Sequence, residues 1–440
     1  MSIVASLPLQ ELIRLAGLPQ AMLPPAARQA ARFSLFDWMT VGRAGRDQPV
    51  ARLVRDFVTA ESGKAEASLL GGGMAPARGA ALVNGTVSHA LDYDDTHFGH
   101  VGHPSVAILP AALAIGEAVD ASASAVVDAF LLGAEASVRL GITLGRGHYE
   151  RGFHQTATAG AFGATVAAGR LLGLDEHVMA HALGLVATRA SGLKSQFGTM
   201  GKPFNAGIAA SNGVEAALLA QRGFVSCDDG IGGAQGFIAT HADAPDPEAP
   251  WRDPPPARFL FQSVNYKFHA CCHGTHAMIE ALRSMAVDAH KVTAIRVATN
   301  PRWLRVCDIK SPRSGLEVKF SYAWLAGMVL AGIDTASDRI YGTALAEDPE
   351  IAALAAKVSV EGDPALSDTA ARVEIATAEG HLMRGSHDLS APLEPAAIEQ
   401  GLRAKARALL GDEEGERLWA IVTGIDGCMA REIGAILRGR

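Results

Sequence analysis

Small and apolar residues recur at helical spacing through the first 240 residues of the chain. The stretch 104–118 is apolar at nearly every position, which is typical of a helix buried on all sides. Pro104 suits the first turn of that helix, where its missing N–H costs little. Alanine and glycine let helices approach closely, so the pattern predicts a compact helical array. The predicted helices are 25–42, 50–60, 74–92, 104–118, 122–144, 155–172, 177–191 and 202–220.

The pattern changes after a proline-rich segment, 243–256, whose six prolines admit neither a regular helix nor a ladder strand. Beyond it, β-branched residues alternate in strand fashion, and two short runs predict a hairpin. The predicted strands are 292–300, 357–361, 371–376 and 381–385, and the predicted helices are 320–332, 348–356, 395–410 and 413–438. The predicted fold class is mainly α, with a large all-helical domain (1–258 and 393–440) and a smaller α+β domain (259–392).

Length and composition narrow the class of protein. A chain of 440 residues with 49% hydrophobic and 19% charged residues predicts a folded protein of two domains. The net charge of −7 argues against nucleic acid or an acidic membrane surface as a partner. The N-terminal 17 residues lack a signal-peptide pattern, and we expect no membrane span. The five cysteines contain no CxxC pair, which favours a cytoplasmic protein.

The segment 89–105 concentrates titratable side chains within 17 residues. Its carboxylates are Asp92, Asp94 and Asp95, and its imidazoles are His89, His97, His100 and His103. An aspartate can fix the tautomer of a neighbouring imidazole, which then acts as a general acid or base. The alternatives are a polar loop that caps helices and a metal site. The metal site is the weaker alternative, because these histidines lack the i, i+4 spacing of a helical zinc motif.

Two later clusters contain similar side chains. The segment 147–154 holds Tyr149 and His154, and the segment 267–276 holds Lys267 and Cys272. The three segments together contain nine of the fifteen histidines. Our hypothesis is that they meet in one pocket and move protons there. The alternatives are a packing or capping role for His154 and a structural role for the cysteines, which we prefer for Cys271.

Lys202 lies at the start of a predicted helix, the end of the macrodipole that disfavours a cation. An anionic ligand would compensate for that position. The lysine could also transfer a proton if burial lowered its pKa. The alternative is an exposed lysine without a role.

Several long motifs occur in order over nearly the whole chain. They are His-Ala-Leu-Asp-Tyr-Asp-Asp-Thr with His-Pro-Ser, Gly-Phe-His-x-Thr, Gly-Thr-Met-Gly-Lys-Pro-Phe-Asn-Ala-Gly with Ala-Ala-Ser-Asn-Gly, and Lys-x(7)-Thr-His. Together they resemble the MmgE/PrpD family, which includes 2-methylcitrate dehydratase, cis-aconitate decarboxylase and iminodisuccinate epimerase. The resemblance implies a large all-helical domain and a smaller α+β lid domain, usually in a homodimer, with the site between the domains. It implies no metal and no organic cofactor.

The chemistry implied by the resemblance is the removal or delivery of a proton α to a carboxylate of a small di- or tricarboxylic acid. The implied pocket positions are Asp92, Thr96, His103, His154, Lys202 and Lys267. We assign His103 and His154 as the acid/base pair, and Lys202 as a base or carboxylate holder. Asp92 would orient a histidine, and Lys267 would bind a carboxylate. Cys272 and Tyr149 are further catalytic candidates, and Thr96 and His100 are further substrate-binding candidates.

Two departures from the decarboxylase-like members weaken a decarboxylase assignment. Cys272 stands where those members place a histidine, and Trp324 stands where they place a tyrosine. We therefore expect a 2-methylcitrate dehydratase-like hydro-lyase first and an iminodisuccinate epimerase-like isomerase second. Two rivals from other classes are a metal-dependent hydrolase built on the Asp/His loop and a catalytically inactive homologue that only binds a ligand.

Overall fold

The computed structural model describes residues 5–439 and is mainly α, as the pattern predicted. Residues 1–4 and 440 of the predicted helical domain lie outside the described residues. The chain divides into two compact units, 1–266 with 412–440, and 267–411. The sequence prediction for the smaller domain was 259–392, so the second unit also includes the helix after Pro392. The lid role of the smaller domain stays a prediction.

The first unit is built from helices and one small hairpin. The helices before residue 266 are α1 (Leu7–Ala16), α2 (Pro25–Gly45), α3 (Pro49–Glu61), α4 (Ala77–Ser88), α5 (Pro104–Ala118), α6 (Ala123–Arg151), α7 (Gln155–Leu171), α8 (Glu176–Ala187), α9 (Gly201–Gln221) and α10 (Phe237–His241). Two short strands, β1 (Ala67–Ser68) and β2 (Met74–Ala75), pair antiparallel. The apolar pattern of α5 is explained by its position, because the helix packs against α4, α6, α7 and α9.

Every residue of α5 from Pro104 to Glu117 is buried, which confirms the prediction of a central helix. Glycines set the spacing around it. A Cβ added to Gly85 of α4 would lie 2.8 Å from the Cα of Gly207 in α9, so these two backbones touch. The close packing of small residues brings the ends of several helices near one another.

The second unit, 267–411, contains a four-stranded sheet with helices. Its helices are α11 (His276–Arg283), α12 (Pro301–Leu304), α13 (Gly315–Val318), α14 (Tyr322–Leu330), α15 (Thr343–Ala346), α16 (Pro349–Ala355) and α17 (Pro395–Leu410), and its strands are β3 (Val292–Thr299), β4 (Val358–Gly362), β5 (Ala370–Thr377) and β6 (Leu382–Asp388). The strand order is β4-β3-β5-β6, with β3 and β4 parallel and the other pairs antiparallel. Alternate residues Ala371, Val373 and Ile375 bury one face of the sheet, against which α11 packs. The predicted hairpin is confirmed as β5 and β6.

The C-terminal segment returns to the first unit as α18 (Asp412–Thr423) and α19 (Ala430–Leu437). The sequence predicted one helix over 413–438, and this was wrong. The break begins at Gly424, and the chain then pairs with the segment before α6, where Ala123 N donates to Cys428 O and Ala430 N donates to Ala121 O. No helix among residues 5–439 is both long and apolar enough to cross a membrane.

The proline-rich segment 243–256 belongs to the first unit. Buried Arg139 of α6 donates to the carbonyl oxygens of Pro250, Asp253 and Arg258 and pairs with buried Glu135. The backbone carbonyl groups in and just after this segment are therefore hydrogen-bonded by the Arg139 side chain and not by a neighbouring strand.

Candidate active site

The candidate site of the first unit is built on the loop between α4 and α5, residues 89–103. Its centre is Asp94, whose side chain is fully buried. Asp94 Oδ1 lies 2.8 Å from His89 Nδ1, and Asp94 Oδ2 lies 2.8 Å from His103 Nδ1. Burial alone would raise the pKa of Asp94, but the charges and hydrogen bonds of the two imidazoles hold it well below its usual value. Asp94 is therefore an ionised carboxylate shared by two histidines.

His103 lies between two carboxylates. Its Nδ1 faces Asp94, and its Nε2 lies 3.6 Å from Asp92 Oδ1. Burial lowers the pKa of His103 to about 4, against the opposing effect of Asp94. The imidazole is consequently neutral at neutral pH, and any positive charge that it gains faces two carboxylates.

Asp92 links the loop to Lys202. Lys202 Nζ lies 2.6 Å from Asp92 Oδ1, and the Asp92 side chain is 40% exposed while that of Lys202 is 14% exposed. Asp92 has a φ of +51°, a left-handed backbone conformation that aspartate tolerates better than most residues. The Lys202 ammonium also lies 5.3 Å from the centre of the Phe197 ring. The pair forms the partly exposed side of the cluster.

His154 completes the cluster as the N-cap residue of α7. Its ring stacks at 6.0 Å on that of His89, and Phe197 contacts it edge-on at 4.9 Å. Asn205 Nδ2 lies 3.3 Å from His154 Nδ1. Burial is the main cause that holds the pKa of His154 well below its usual value, and the charges of the nearby His89 and Lys202 lower it further. This imidazole is also neutral at neutral pH.

Three helices begin at the cluster. His103 is the N-cap residue of α5, His154 is that of α7, and Lys202 is the second residue of α9. The first two starts are adjacent, because His103 N donates to Thr156 Oγ1 at 3.0 Å. Helix N-termini carry partial positive charge, which favours an anion. The arrangement suits a carboxylate between the two imidazoles and Lys202.

Three other predicted residues of the first unit have different surroundings. Thr96 pairs with Asn265 through two backbone hydrogen bonds of 2.8 and 2.7 Å. His100 is completely buried, and burial lowers its pKa to about 3. The ring of Tyr149 lies 3.7 Å from Lys194 Nζ, which also donates to the Tyr149 carbonyl oxygen. The burial of His100 favours a packing role, but the functions proposed for all three residues stay predictions.

Lys267 and Cys272 lie in the second unit. Lys267 is buried, and Cys272 is partly exposed with its thiol hydrogen-bonded to that of buried Cys307. Burial raises the pKa of the Cys271 thiol to about 12, which agrees with the structural role preferred for it. Catalytic and substrate-binding roles for Cys272 and Lys267 stay predictions.

One group has the spacing of a metal site. The ligand atoms of His89, Asp92, Asp94 and His103 lie within 4.8 Å of one another. However, the Lys202 ammonium already contacts Asp92, and both oxygens of Asp94 face imidazole nitrogens. A divalent cation would have to displace the ammonium, so this structure fits proton transfer better than metal binding.

Sequence reasoning did not assign roles to His89, Asp94 or Asn205. The spacing His89-x(4)-Asp94 gave no helical signal, because the pairing depends on the loop conformation. Asn205 follows Lys202 by three residues, and on a helix that spacing places both side chains on one face. That spacing is the feature of the sequence that could have pointed to Asn205.

Comparison with known proteins identifies two family profiles. The MmgE/PrpD N-terminal domain matches residues 15–250, and the MmgE/PrpD C-terminal domain matches residues 269–425. A cis-aconitate decarboxylase of Aspergillus terreus is 30% identical over 219 residues, which cover 47% of this chain and 45% of the relative. The cis-aconitate decarboxylase of Homo sapiens is 28% identical over 234 residues, 52% of this chain and 48% of the relative. The chain therefore spans about half the length of these curated relatives.

Proposed function

The chain belongs to the MmgE/PrpD family, and we propose that it is a cofactor-independent lyase of a small di- or tricarboxylic acid. Its reaction moves a proton at the carbon α to a carboxylate. The observation that supports the proposal most strongly is the cluster of two neutral imidazoles, His103 and His154, beside Lys202 at three helix N-termini. The relatives named as cis-aconitate decarboxylases support a carboxylic-acid lyase in general.

The cluster meets the two requirements of α-proton chemistry. Removal of the proton leaves an enolate-like intermediate, whose charge must be stabilised by cations and N–H groups. Lys202 and the starts of α5, α7 and α9 offer that stabilisation on one side of the cluster. A neutral imidazole supplies a base without carrying its own charge, and Asp94 stabilises the imidazolium that results.

Among lyase reactions we propose dehydration first, as for 2-methylcitrate dehydratase. Dehydration needs a base for the C–H proton and an acid for the departing hydroxyl, and the cluster holds two separate imidazoles. Epimerisation, as for iminodisuccinate epimerase, uses the same pair and is the second candidate. Decarboxylation needs a proton donor for the carbanion but no base at carbon. Cys272 and Trp324, which depart from the decarboxylase pattern, weigh against it. A homodimer in the cytoplasm, without a bound cofactor, is part of the same proposal.

Proton NMR of the purified protein in D2O tests the proposal with 2-methylcitrate, citrate, cis-aconitate, iminodisuccinate and simpler dicarboxylates. A new vinyl signal from an acid that keeps all its carboxylates identifies a dehydratase, and deuterium at an α-carbon with an unchanged skeleton identifies an epimerase. Loss of a carboxylate identifies a decarboxylase. The proposal fails if none of these acids exchanges or reacts, and if they only raise the melting temperature, the protein is a ligand-binding homologue.

A metal-dependent hydrolase is the alternative from another class of enzyme, because one cluster has metal-ligand spacing. Stoichiometric zinc, iron or manganese in the purified protein, with hydrolysis lost on chelation, would support it instead.

A further inference from the structure

We infer that Asp94 and Asn205 assign opposite roles to the two imidazoles, making His103 the base and His154 the acid. The inference rests on the proposed function for those roles, and on the atoms that face the two Nδ1 nitrogens for the tautomers. Both histidines are neutral at neutral pH, so each carries one ring proton. The partner of each Nδ1 decides which nitrogen carries that proton.

Asp94 fixes the tautomer of His103. An ionised carboxylate can only accept hydrogen bonds, and Asp94 Oδ2 lies 2.8 Å from His103 Nδ1. The proton of neutral His103 is therefore on Nδ1, and its Nε2 has a free lone pair. His89 assists, because its Nδ1 donates to the other oxygen of Asp94 at 2.8 Å and helps to keep this carboxylate ionised. Contacts from His89 and His103 to its two oxygens hold the Asp94 carboxylate in this orientation.

Asn205 fixes the opposite tautomer of His154. The carboxamide nitrogen Nδ2 is a donor, and it lies 3.3 Å from both His154 Nδ1 and the carbonyl oxygen of Leu193. A carbonyl oxygen accepts only, so the contact with Leu193 identifies this atom of Asn205 as the nitrogen. His154 Nδ1 must then accept, and the ring proton lies on Nε2.

The two Nε2 atoms consequently differ in what they can do. For a dehydration, His103 Nε2 takes the proton from carbon, and the C–H electron pair forms the enolate. The enolate electron pair then forms the C=C bond as the hydroxyl leaves with the C–O electron pair. The hydroxyl takes the proton of His154 Nε2–H and departs as water. His103 then carries one added proton and His154 lacks one, and exchange with solvent restores both. The new charge on His103 lies between Asp94 and Asp92, 3.6 Å from the latter.

The chain offers a matched control for each positioning residue. Asp95 follows Asp94 and is also buried, but it accepts from Ser105 Oγ at 2.5 Å and Ser34 Oγ at 2.8 Å instead of from imidazoles. Asn212 lies on the same helix as Asn205 and is also buried, but its Nδ2 donates to the carbonyl oxygen of Arg189 at 2.8 Å. Asp95→Asn and Asn212→Asp are the corresponding substitutions at side chains that are hydrogen-bonded to Ser34, Ser105 and Arg189 and not to an imidazole.

The test is nitrogen-15 NMR of imidazole-labelled protein, which distinguishes protonated from unprotonated ring nitrogens without substrate. We expect protonated Nδ1 on His103 and protonated Nε2 on His154 in the native protein. Asn205→Asp should put a proton on His154 Nδ1, and Asp94→Asn should remove the fixed tautomer of His103. Asp95→Asn and Asn212→Asp should leave both patterns unchanged. Asn205→Leu, which introduces no charge, should leave His154 as a mixture of tautomers.

Turnover of the same variants in D2O is the second measurement. We expect Asp94→Asn and Asn205→Leu to lower kcat by about 10²-fold with KM changed little, and the controls to stay near the native rate. The pH profile of Asn205→Asp should move to higher pH, because a carboxylate raises the pKa of His154. The inference is overturned if His103 Nδ1 is unprotonated, if His154 keeps its tautomer in Asn205→Asp, or if the positioning variants turn over normally. If the tautomers are as stated but no acid reacts, the proposed function fails and only the structural half of the inference stands.

Discussion

Two histidine–carboxylate pairs, one in each unit, differ in how many of their imidazole nitrogens have hydrogen-bond partners. In the first unit, Asp94 is shared by two imidazoles, and the Nε2 of His103 faces Asp92 Oδ1 at 3.6 Å, which is beyond hydrogen-bond distance. In the second unit, His269 contacts Thr335 through Nδ1 and Glu280 through Nε2, both at 2.6 Å. The first imidazole retains a nitrogen for chemistry, whereas both nitrogens of the second are used in holding the fold.

This difference shows why histidine density alone is a weak guide to catalysis. The segments 89–105 and 267–276 look alike in the sequence, and both contain several buried histidines. Burial lowers the pKa of His103 and of His269 alike, so the pKa does not separate them. Hydrogen-bond satisfaction does, because a group that already has two partners cannot accept a proton from a substrate.

The largest effect is expected from Lys202→Ala. The change removes the cation at the start of α9 and leaves Asp92 beside His103 without its 2.6 Å partner. We expect kcat to fall by about 10³-fold, because both carboxylate binding and charge stabilisation are lost. Turnover by NMR and the circular dichroism spectrum measure activity and fold. Lys291→Ala is the control, since Lys291 lies on the surface of the second unit and pairs with Glu379. Near-normal activity of Lys202→Ala would remove this residue from the mechanism.

The next prediction compares the two units by replacing one histidine in each with asparagine, His103→Asn and His269→Asn. Asparagine can retain the Nδ1-side donor but lacks Nε2. His103→Asn should lower kcat by about 10²-fold, with little change in the melting temperature. His269→Asn should instead lower the free energy of unfolding by about 1–3 kcal/mol, because the bond to Glu280 is lost. Thermal unfolding and turnover of both variants check this. If His269→Asn were the catalytically impaired variant, the comparison would be reversed.

Sequence periodicity predicted much of the fold because burial follows the pattern directly. The apolar run of α5 predicts a helix buried on all sides, and the alternation in β5 predicts a strand with one buried face. The motifs also pointed to His103, His154 and Lys202. Periodicity could not give the partners of Asp94, since Asp94 and Asp95 are adjacent and chemically identical in the sequence. Their separation depends on the loop conformation, which directs one carboxylate to imidazoles and the other to Ser34 and Ser105.

A smaller effect is expected on stability as the pH falls. Burial lowers the pKa of His97 to about 4, of His100 to about 3 and of His103 to about 4. The unfolded chain takes up protons on these groups near pH 6.5, so it binds more protons than the folded chain between about pH 6.5 and 4. The free energy of unfolding should therefore decrease as the pH falls through this window. Asp95, whose pKa burial and Asp37 raise to about 7, has the opposite sign, but it offsets only one histidine.

His100→Leu sharpens this prediction. The ring nitrogens of His100 are buried without hydrogen-bond partners, so leucine removes an unsatisfied polar group and one titrating site. Urea unfolding at pH 7, 6 and 5 should show a shallower pH dependence than in the native protein. Unchanged turnover would also argue against the substrate contact predicted for His100, and an unchanged slope would contradict the pH argument.

The smallest effect is expected from chelation. The cluster of His89, Asp92, Asp94 and His103 has metal-ligand spacing, but the Lys202 ammonium provides the positive charge at Asp92. We expect well under one equivalent of metal in the purified protein and an unchanged rate after treatment with EDTA. In Lys202→Ala the ammonium is absent, so zinc titration by calorimetry should detect binding in the variant and none in the native protein. If the native protein binds zinc as well as the variant does, Lys202 does not exclude a metal, and the hydrolase alternative gains over proton transfer.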